Sequence, residues 1–414
     1  MSEVMVLGAG MVGVGSALAL QARGHAVTLI DRRAPGEETS YGNAGIIQSE
    51  AAEPYAFPRD AATLLKFLSG RSNQLRLSPL PVLQMAAGLL SYWANSAPQR
   101  HASASRIYAQ LTRRSVDDHG PLIDAAGQGN LIRQAGFFEF YRSAAAFDAQ
   151  AQYAHRMEAE FGVPFRALDG AAFAREEPSF QTRYAGALHW TGSWTCASPG
   201  RLTGAYADLF VARGGRLARG DAASLTQQGS GWTVQGEAGP LSGEHAVICL
   251  GPWSPEVLKP FGYRVNMVWK RGYHQHFTGS APLQRPCVDS EHGLVLSPMT
   301  QGLRMATGAA LVGQTDPVDR AQLIFGERVM RREIDLGRVV EDQPWYGHRP
   351  CLPDMLPLVG KAPRHAGLWL NFGHGHQGFT LGPTTGSLLA DAMAGMGSDL
   401  IEALSPAGRA AVIR

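Results

Sequence analysis

The chain has 414 residues, of which 45% are hydrophobic and 17% are charged, and its net charge is +2 at neutral pH. This length supports a large core and more than one domain, and the balanced charge argues against nucleic acid as a partner. No segment is long and apolar enough to span a bilayer.

The four cysteines, Cys196, Cys249, Cys287 and Cys351, are scattered without the spacing of a metal site. They predict a reducing compartment, no disulfide framework and no metal. The first predicted strand begins close to the N-terminus, which predicts that no signal peptide is present. The cytoplasm is the expected location.

A dinucleotide-binding fingerprint is predicted at the start of the chain. The apolar run at residues 4–7 predicts a buried strand, residues 11–23 predict a helix, and residues 26–30 predict a second strand that ends at Asp31. This strand–helix–strand order is the context in which a glycine-rich turn binds the ADP portion of a cofactor.

Each glycine of the turn has its own role in that prediction. Gly8 permits the tight turn, Gly10 leaves room for a pyrophosphate, and Gly13 lets the helix pack closely on the sheet. The helix N-terminus offers N–H donors to the phosphates. Asp31 can accept hydrogen bonds from ribose hydroxyls, which disfavours NADP, although the two arginines after it keep NADP open. The fingerprint alone is compatible with NAD, NADP and FAD.

The next region predicts a loop followed by helices. The loop at residues 35–47 contains three glycines and several small polar residues, so it can bring main-chain N–H groups close to a ligand. An ordinary surface loop is the alternative. Residues 60–120 are predicted to be mainly helical.

The stretch at residues 79–93 is notably apolar and predicts a core or interdomain helix. The alternative is contact with a membrane surface, because two aromatic residues end the stretch and basic residues precede it. These basic residues are Lys66, Arg71 and Arg76.

Strands and helices continue to the C-terminus. Predicted strands lie at residues 131–141, 183–190, 216–219, 232–235, 245–250 and 368–372, and predicted helices at 147–161, 201–213 and 383–393. Residues 262–340 predict strands with turns, and residues 373–378 predict a loop. The strand that ends before Gly251 is typical of a parallel sheet facing a ligand crevice.

Six motifs in this order resemble the FAD-dependent D-amino acid oxidase superfamily. They are GAGMVG with Asp31, TSYGNAGII, AVICLGPWS, KRGYH at 270–274, GHRPCLPDMLPLVG at 347–360 and GHGHQGFTLGPTTG at 373–386. The resemblance covers nearly the whole chain and is nearest to the bacterial D-amino acid and D-hydroxyproline dehydrogenases.

The resemblance implies an α/β fold, α+β overall, in which a substrate domain interrupts a Rossmann-type FAD-binding domain. Residues 1–60, 200–260 and 345–414 would form the FAD-binding domain. Residues 61–199 and 261–344 would form the substrate domain, with an antiparallel sheet and helices. The implied cofactor is non-covalent FAD.

The resemblance also assigns FAD contacts by position. They are Gly8, Gly10, Met11, Val12 and Gly13 at the pyrophosphate turn; Asp31 and Arg32 at the ribose; Thr39 and Ser40 near the phosphates; Asn43, Gly45, Ile46 and Ile47 near the flavin; Ala222 at the adenine; Gly251 after its strand; and His374, Gly375, His376, Gln377, Gly378, Phe379 and Thr380 around the pyrimidine edge of the flavin. A role of Asn43 in orienting its loop, or as a plain turn residue, stays open. The helix after this last segment would direct its N-terminus at the flavin O2 and stabilise the reduced form.

Arg349 stands where the family places the arginine that holds the substrate carboxylate, since a guanidinium matches a carboxylate at two points. A structural arginine in a proline-rich loop is the alternative. Tyr273 is expected to donate to the same carboxylate, with a core tyrosine as the alternative. His374 and His376 are predicted beside the flavin, with their chemical role or a structural one left open. Lys270 is predicted to form a solvated pair with the arginine after it at a strand end.

The resemblance implies oxidation of a D-amino acid or cyclic imino acid by hydride transfer to flavin N5, with electrons passed to a quinone or respiratory carrier. One alternative is an oxygen-using amine oxidase of the glycine or sarcosine type. Another is the flavoprotein subunit of a hetero-oligomeric amine dehydrogenase. The alternative interpretation of residues 79–93 would add peripheral association with the inner face of the plasma membrane to the cytoplasmic location.

Overall fold

The computed structural model describes residues 1–68 and 73–414. Arg71, one of the basic residues named for the membrane hypothesis, lies outside the described residues. The helices are α1 (Met11–Ala22), α2 (Ala61–Leu68), α3 (Pro79–Gln84), α4 (Ala86–Asn95), α5 (Pro98–Ala125), α6 (Ala144–Phe161), α7 (Gly170–Glu176), α8 (Pro199–Ala212), α9 (Ser254–Leu258), α10 (Ala321–Met330), α11 (Gly378–Met393) and α12 (Asp399–Leu404).

Within the described residues, the strands form three sheets. They are β1 (Glu3–Leu7), β2 (Ala26–Asp31), β3 (Ile46–Ile47), β4 (Leu75–Leu77), β5 (Ile132–Arg133), β6 (Phe137–Tyr141), β7 (Phe165–Asp169), β8 (Gly186–Trp190), β9 (Trp194–Cys196), β10 (Arg216–Gln228), β11 (Gly231–Gly236), β12 (Gly239–Gly243), β13 (His245–Ile248), β14 (Val268–Thr278), β15 (Cys287–Asp289), β16 (Leu294–Met299), β17 (Gly302–Thr307), β18 (Ala309–Leu311), β19 (Arg338–Val339), β20 (Trp345–Cys351), β21 (Leu358–Lys361) and β22 (Leu368–Phe372).

An eight-stranded sheet contains the predicted fingerprint, in the order β12-β11-β10-β2-β1-β13-β22-β21. Its central strands β10, β2, β1, β13 and β22 are parallel, and Leu7 at the end of β1 pairs with both Ile30 and Ile248. These strands are apolar throughout because helices and loops cover both faces. The predicted α/β class with a Rossmann-type sheet is confirmed.

Glycines bring α1 and α11 into close contact. A Cβ on Gly15 would lie 2.8 Å from the carbonyl oxygen of Gly382, and a Cβ on Gly386 would lie 2.7 Å from that of Gly15. Such distances exclude a side chain at either position. The close approach places the first turns of both helices beside the same edge of the eight-stranded sheet.

An eleven-stranded, mostly antiparallel sheet packs beside the first. Its path is β4-β18-β14-β17-β16-β15-β6-β8-β7, with β19 and β20 also paired to β14. Strand β20 pairs with β14, from Trp345 opposite His274 to Cys351 opposite Val268, so it belongs to this sheet. The predicted boundary at residue 345 assigned this strand to the FAD-binding domain. The division into two domains otherwise stays a prediction.

The predicted elements agree with the structure where periodicity and end signals coincide. The fingerprint strands and helix, the helix ended by Gly162, and the strand at residues 368–372 are confirmed. Three predictions were wrong in detail, one of them the start of α11. Residues 262–340 also contain α10, and the stretch at residues 79–93 is divided at Met85 into α3 and α4.

Helix α11 begins at Gly378, five residues before the predicted start, so Phe379 and Thr380 are helical. Pro383 lies inside this helix and cannot donate to the Phe379 carbonyl. His119 Nε2 lies 3.0 Å from that carbonyl oxygen and its Nδ1 lies 3.0 Å from the Tyr206 hydroxyl. A buried histidine therefore supplies the hydrogen bond that the proline removes.

Candidate active site

One cavity follows the carboxyl ends of the central strands and reaches β14 and β20. Eighteen of the predicted site residues line it: Gly8, Gly10, Met11, Val12, Asp31, Arg32, Thr39, Ser40, Asn43, Ala222, Gly251, Tyr273, Arg349, His374, Gly375, His376, Gly378 and Phe379. The other six are outside its lining: Gly13, Gly45, Ile46, Ile47, Gln377 and Thr380. Residues more than 300 positions apart in sequence therefore face one space.

The glycine turn has no room for side chains. Gly8 has φ +104°, and a Cβ there would lie 2.5 Å from the Cys249 carbonyl oxygen. A Cβ on Gly13 would lie 1.7 Å from the Gly8 carbonyl oxygen, so Gly13 acts by close packing. Gly10 borders the cavity, and a Cβ there would point to within 3.3 Å of Ser40 Oγ.

Hydrogen bonds fix this turn to the next strand and loop. Asp31 accepts the Ala9 N–H at 2.6 Å and the Arg33 N–H at 3.0 Å, and Ser40 Oγ accepts the Met11 N–H at 3.0 Å. The other first-turn N–H groups of α1 have no partner within the helix. The bare backbone at Gly10, these donors and the Asp31 carboxylate together form a cradle that fits the ADP portion of FAD.

Four of the six predicted residues outside the lining belong to the loop at residues 35–47 or to α11, which borders it. Gly45 has φ +73° and donates its N–H to Asn43 Oδ1 at 2.8 Å, so Asn43 orients its own loop. Ile46 and Ile47 form β3 and are buried. Thr380 Oγ1 accepts the Gln48 N–H at 3.2 Å, which joins this loop to α11.

A chain of hydrogen bonds connects the cavity to a buried carboxylate. Gln377 Nε2 donates to His376 Nε2 at 3.1 Å and to Gln48 Oε1 at 2.9 Å. Gln48 Nε2 donates to Glu50 at 2.7 Å, and the Ser193 hydroxyl also donates to Glu50. Burial raises the pKa of Glu50 to about 7. This order of donors leaves His376 Nε2 as an acceptor, so the neutral ring carries its proton on Nδ1.

Both predicted histidines are uncharged at neutral pH. Burial lowers the pKa of His374 to about 3, and its Nε2 lies 2.9 Å from Thr385 Oγ1. Burial, with the charges of Arg349 and Lys270, lowers the pKa of His376 to about 3. Groups with such pKa values are weak bases, so these rings serve as hydrogen-bonding surfaces of the cavity.

Arg349 lies across β14 with its guanidinium over Gly272. A Cβ on Gly272 would lie 2.6 Å from Arg349 Nη2, so only glycine leaves space for the guanidinium. Arg349 donates from Nη1 to Gly308 O at 2.8 Å and from Nη2 to Thr307 O at 3.2 Å. These contacts hold the guanidinium at the cavity wall through carbonyls alone.

Tyr273 does not point its hydroxyl at this guanidinium. The hydroxyl lies 3.5 Å from Arg271 Nη1, and the ring packs in the core of the larger sheet. Because neighbouring residues of a strand face opposite sides, Tyr273 and Gly272 direct their substituents to different faces. This orientation supports the core-tyrosine alternative, while the contact with a substrate carboxylate stays a prediction because Tyr273 also lines the cavity.

The predicted solvated pair was also wrong. Arg271 is fully buried and donates to His348 Nε2 at 3.1 Å and to Gly313 O at 2.6 Å. Lys270 points to the opposite face, where its Nζ donates to the Tyr92 hydroxyl at 3.0 Å.

The sequence reasoning missed several residues that the fold brings to this region. The Tyr55 ring lies 4.6 Å from the His376 ring, and Trp345 stacks on His274 at 4.8 Å. The aromatic residues inside the loop at residues 51–57 were the available signal for Tyr55. Within residues 1–68 and 73–414, no cluster of three or more potential metal ligands occurs.

The chain is similar to known proteins over nearly its whole length. A family profile described as FAD dependent oxidoreductase matches residues 3–392. The chain is 31% identical to a D-amino acid dehydrogenase of Cereibacter sphaeroides, covering 96% of this chain and 93% of the relative. It is 29% identical to a D-amino-acid oxidase of Bradyrhizobium diazoefficiens, covering 95% of both chains.

A solved structure supports the fold. Glycine oxidase from Geobacillus kaustophilus superposes with a TM-score of 0.73 at 18% identity, covering 99% of each chain.

Proposed function

The chain belongs to the family of FAD-dependent oxidoreductases, and we propose that it oxidises the Cα–N bond of a D-amino acid or a cyclic imino acid such as D-hydroxyproline. FAD is its cofactor, and the amino-acid C–N bond is the bond class on which the enzyme acts. Bound FAD would accept the hydride that leaves the substrate carbon. Water hydrolyses the imine that remains to a 2-oxo acid; the nitrogen leaves as ammonia from an acyclic substrate and stays attached as an amine when the ring of a cyclic substrate opens.

The observation that carries this proposal is the state of Arg349. It lines the cavity, burial lowers its pKa, and the titratable groups that act on it are Cys351 and Tyr55. In the described part of the chain, Arg349 forms no ion pair with a carboxylate. A partly buried guanidinium held only by carbonyls favours an incoming carboxylate, because that anion offsets the unfavourable burial of charge.

The surroundings of the substrate amine support hydride transfer. The reaction requires the neutral amine, and the positive charges of Arg349 and Lys270 lower the pKa of a nearby ammonium group. His374 and His376 are uncharged at neutral pH, so neither ring adds a positive charge of its own beside the amine. No side chain then has to remove a proton at the moment of transfer.

Anaerobic mixing of the FAD-bound enzyme with a panel of D-amino and imino acids tests the proposal. Substrates are expected to bleach the visible absorbance of the flavin, and the corresponding L-amino acids are expected to bleach it more slowly. Absence of bleaching with every member of the panel would contradict the proposed reaction and leave the flavoprotein-subunit alternative.

The electron acceptor is proposed to be a quinone or a respiratory carrier. The support is the similarity to relatives named D-amino acid dehydrogenase, whereas the relative named D-amino-acid oxidase favours oxygen as a second candidate. Turnover under air, followed by peroxide release and by reduction of a soluble quinone, distinguishes them. Peroxide in amounts equal to substrate consumed would overturn the quinone proposal.

Non-covalent binding of FAD is also proposed. Acid precipitation is expected to leave the yellow cofactor in the supernatant, and a yellow pellet would contradict this.

A peripheral membrane contact through α3 and α4 is a further part of the proposed function. Met85 and Tyr92 pack inward, while Leu80, Leu83 and Leu90 are 73%, 72% and 69% exposed. None of the described helices is both long and apolar enough to cross a membrane. The exposed leucines on two successive helices support contact with the surface of an anionic bilayer.

A basic residue next to this surface supports an anionic bilayer as the partner. The Arg59 guanidinium lies 3.9 Å from the centre of the Trp93 ring, at the end of α4. Flotation with anionic vesicles is expected to recover the wild-type enzyme and not the Leu83→Glu/Leu90→Glu variant. Equal recovery of both proteins would contradict the contact, and the cytoplasmic location would then stand as a prediction without it.

A further inference from the structure

Two cationic side chains stand opposite each other in the larger sheet. Lys270 of β14 pairs in register with Arg349 of β20. Directly opposed residues of antiparallel strands have Cβ atoms about 5 Å apart and project to the same face. Gly272 shares that face, which leaves space over the strand for both long side chains.

Neither cation meets a carboxylate within residues 1–68 and 73–414. The titratable groups that act on Lys270 are Tyr92, Cys351 and Arg349. Its Nζ donates to the Tyr92 hydroxyl at 3.0 Å and lies 4.4 Å from the centre of that ring. One neutral hydroxyl is a small compensation for a partly buried ammonium group beside a guanidinium of the same sign.

Arg349 lines one end of the cavity, and Lys270 stands beside Arg349, outside the lining of that cavity. They act together on His376, which lines it, and on Tyr55, whose ring lies over His376. The carboxylates that line the cavity, Asp31, Glu38, Asp221 and Glu256, follow or flank strands of the eight-stranded sheet at the nucleotide end. The end at β14 and β20 therefore has two cations, and Glu139 and Glu50, the carboxylates that also act on Tyr55, form no ion pair with either cation in the described part of the chain. One α-carboxylate would pair with only one of the two.

We propose that the substrate is a dicarboxylate, an acidic D-amino acid or an imino diacid, and that Lys270 binds its second carboxylate while Arg349 binds the first. This inference rests on the proposed function, because it assumes that Arg349 receives the α-carboxylate. Lys270 is then a specificity-determining residue. Tyr92 holds its ammonium group in place before the substrate arrives.

Substrate preference tests the inference directly. D-glutamate and D-aspartate are expected to reduce the flavin anaerobically at concentrations at least tenfold lower than D-alanine and D-proline. If the neutral substrates reduce the flavin at equal or lower concentrations, the dicarboxylate inference is overturned while the proposed function holds. If none of the four reduces the flavin, the proposed function and the dicarboxylate inference both fail for these substrates. The binding experiment then decides the role of Lys270.

Binding without turnover separates the role of Lys270 from the reaction. Calorimetry of the FAD-bound enzyme is expected to show glutarate binding more tightly than butyrate, and Lys270→Met is expected to weaken glutarate about 10- to 100-fold, the range for a hydrogen bond to a charged group. Butyrate affinity should change by less than about threefold, and Lys270→Arg should restore part of the glutarate affinity. Exposed Lys259, replaced by Met, is the matched control.

Two results would refute the role of Lys270. Equal loss of glutarate and butyrate affinity in Lys270→Met would mean that Lys270 assists Arg349 with one carboxylate or supports the site as a whole. Unchanged glutarate affinity would mean that the ammonium group does not reach the ligand.

Discussion

Replacing Glu50 by glutamine is expected to remove a pH-dependent loss of stability. Glu50 is 9% exposed, and its carboxylate accepts hydrogen bonds from Gln48 and Ser193. Burial raises its pKa from 4.5 to about 7, and the charged group that acts on it, Glu139, has the same sign. Ionising Glu50 is therefore less favourable in the folded protein than in the unfolded chain.

The sign and size of the effect follow from this pKa difference. Below pH 4.5 the group is protonated in both states and has no effect. Between pH 4.5 and about 7 the unfolded chain releases the proton while the folded protein keeps it, so the stability of the wild type falls as pH rises. The full loss is about 3 kcal/mol, at about 1.4 kcal/mol for each pKa unit.

The assay is thermal unfolding of the FAD-bound wild type and Glu50→Gln at pH 5 to 8. For 414 residues, an unfolding entropy of about 0.9 kcal/mol/K converts 3 kcal/mol into about 3 to 4 °C of Tm. Glutamine can keep the hydrogen bonds to Gln48 and Ser193 because its amide both donates and accepts. The variant is therefore expected to gain Tm over the wild type as pH rises.

A Tm difference that stays constant between pH 5 and 8 would refute this reasoning, because it would mean that Glu50 ionises as easily in the folded protein as in the unfolded chain. Exposed Glu237, replaced by Gln, is the control and is expected to give a difference that does not vary with pH.

Three other substitutions test the site and its support. Arg349→Ala is expected to raise KM for carboxylate substrates on the order of 100-fold while FAD stays bound, and an unchanged KM would contradict its role. Gly10→Val is expected to yield colourless apoprotein because the new side chain enters the phosphate cradle, whereas Gly397→Val, in open space, should stay yellow. His119→Phe is expected to lose about 1 to 3 kcal/mol by leaving the Phe379 carbonyl unpaired, measured as a lower Tm. Because burial lowers the pKa of His119 to about 4, the wild type should also lose stability as pH falls from 6.5 towards 4, and this slope should be smaller in the variant.

The parts of this protein that the sequence predicts well are those fixed by local physics. Gly8 must adopt a positive φ, and Gly13 must pack against the Gly8 carbonyl, so the turn, the helix and Asp31 are recognisable from their spacing. Apolar runs in the central strands reveal a sheet buried on both faces. The six ordered motifs then identify the family, whose profile matches residues 3–392.

Other features depend on contacts between distant segments. Helix α11 begins early, and Pro383 is accepted within it, because His119 of α5 supplies the missing donor. The register of β14 against β20 places the Tyr273 ring in the core of the larger sheet and Lys270 on the face of Arg349. A shift of one residue in that register would reverse both orientations.

The sequence by itself therefore determined the fold class, the cofactor and the arginine expected to hold the substrate. The tertiary structure alone decided which charged side chains stand beside one another and which are paired with carboxylates. The reason is physical: a glycine turn or a buried strand is specified by neighbouring residues, whereas the burial and pairing of Lys270, Arg349 and Glu50 depend on strands and loops that are distant in sequence.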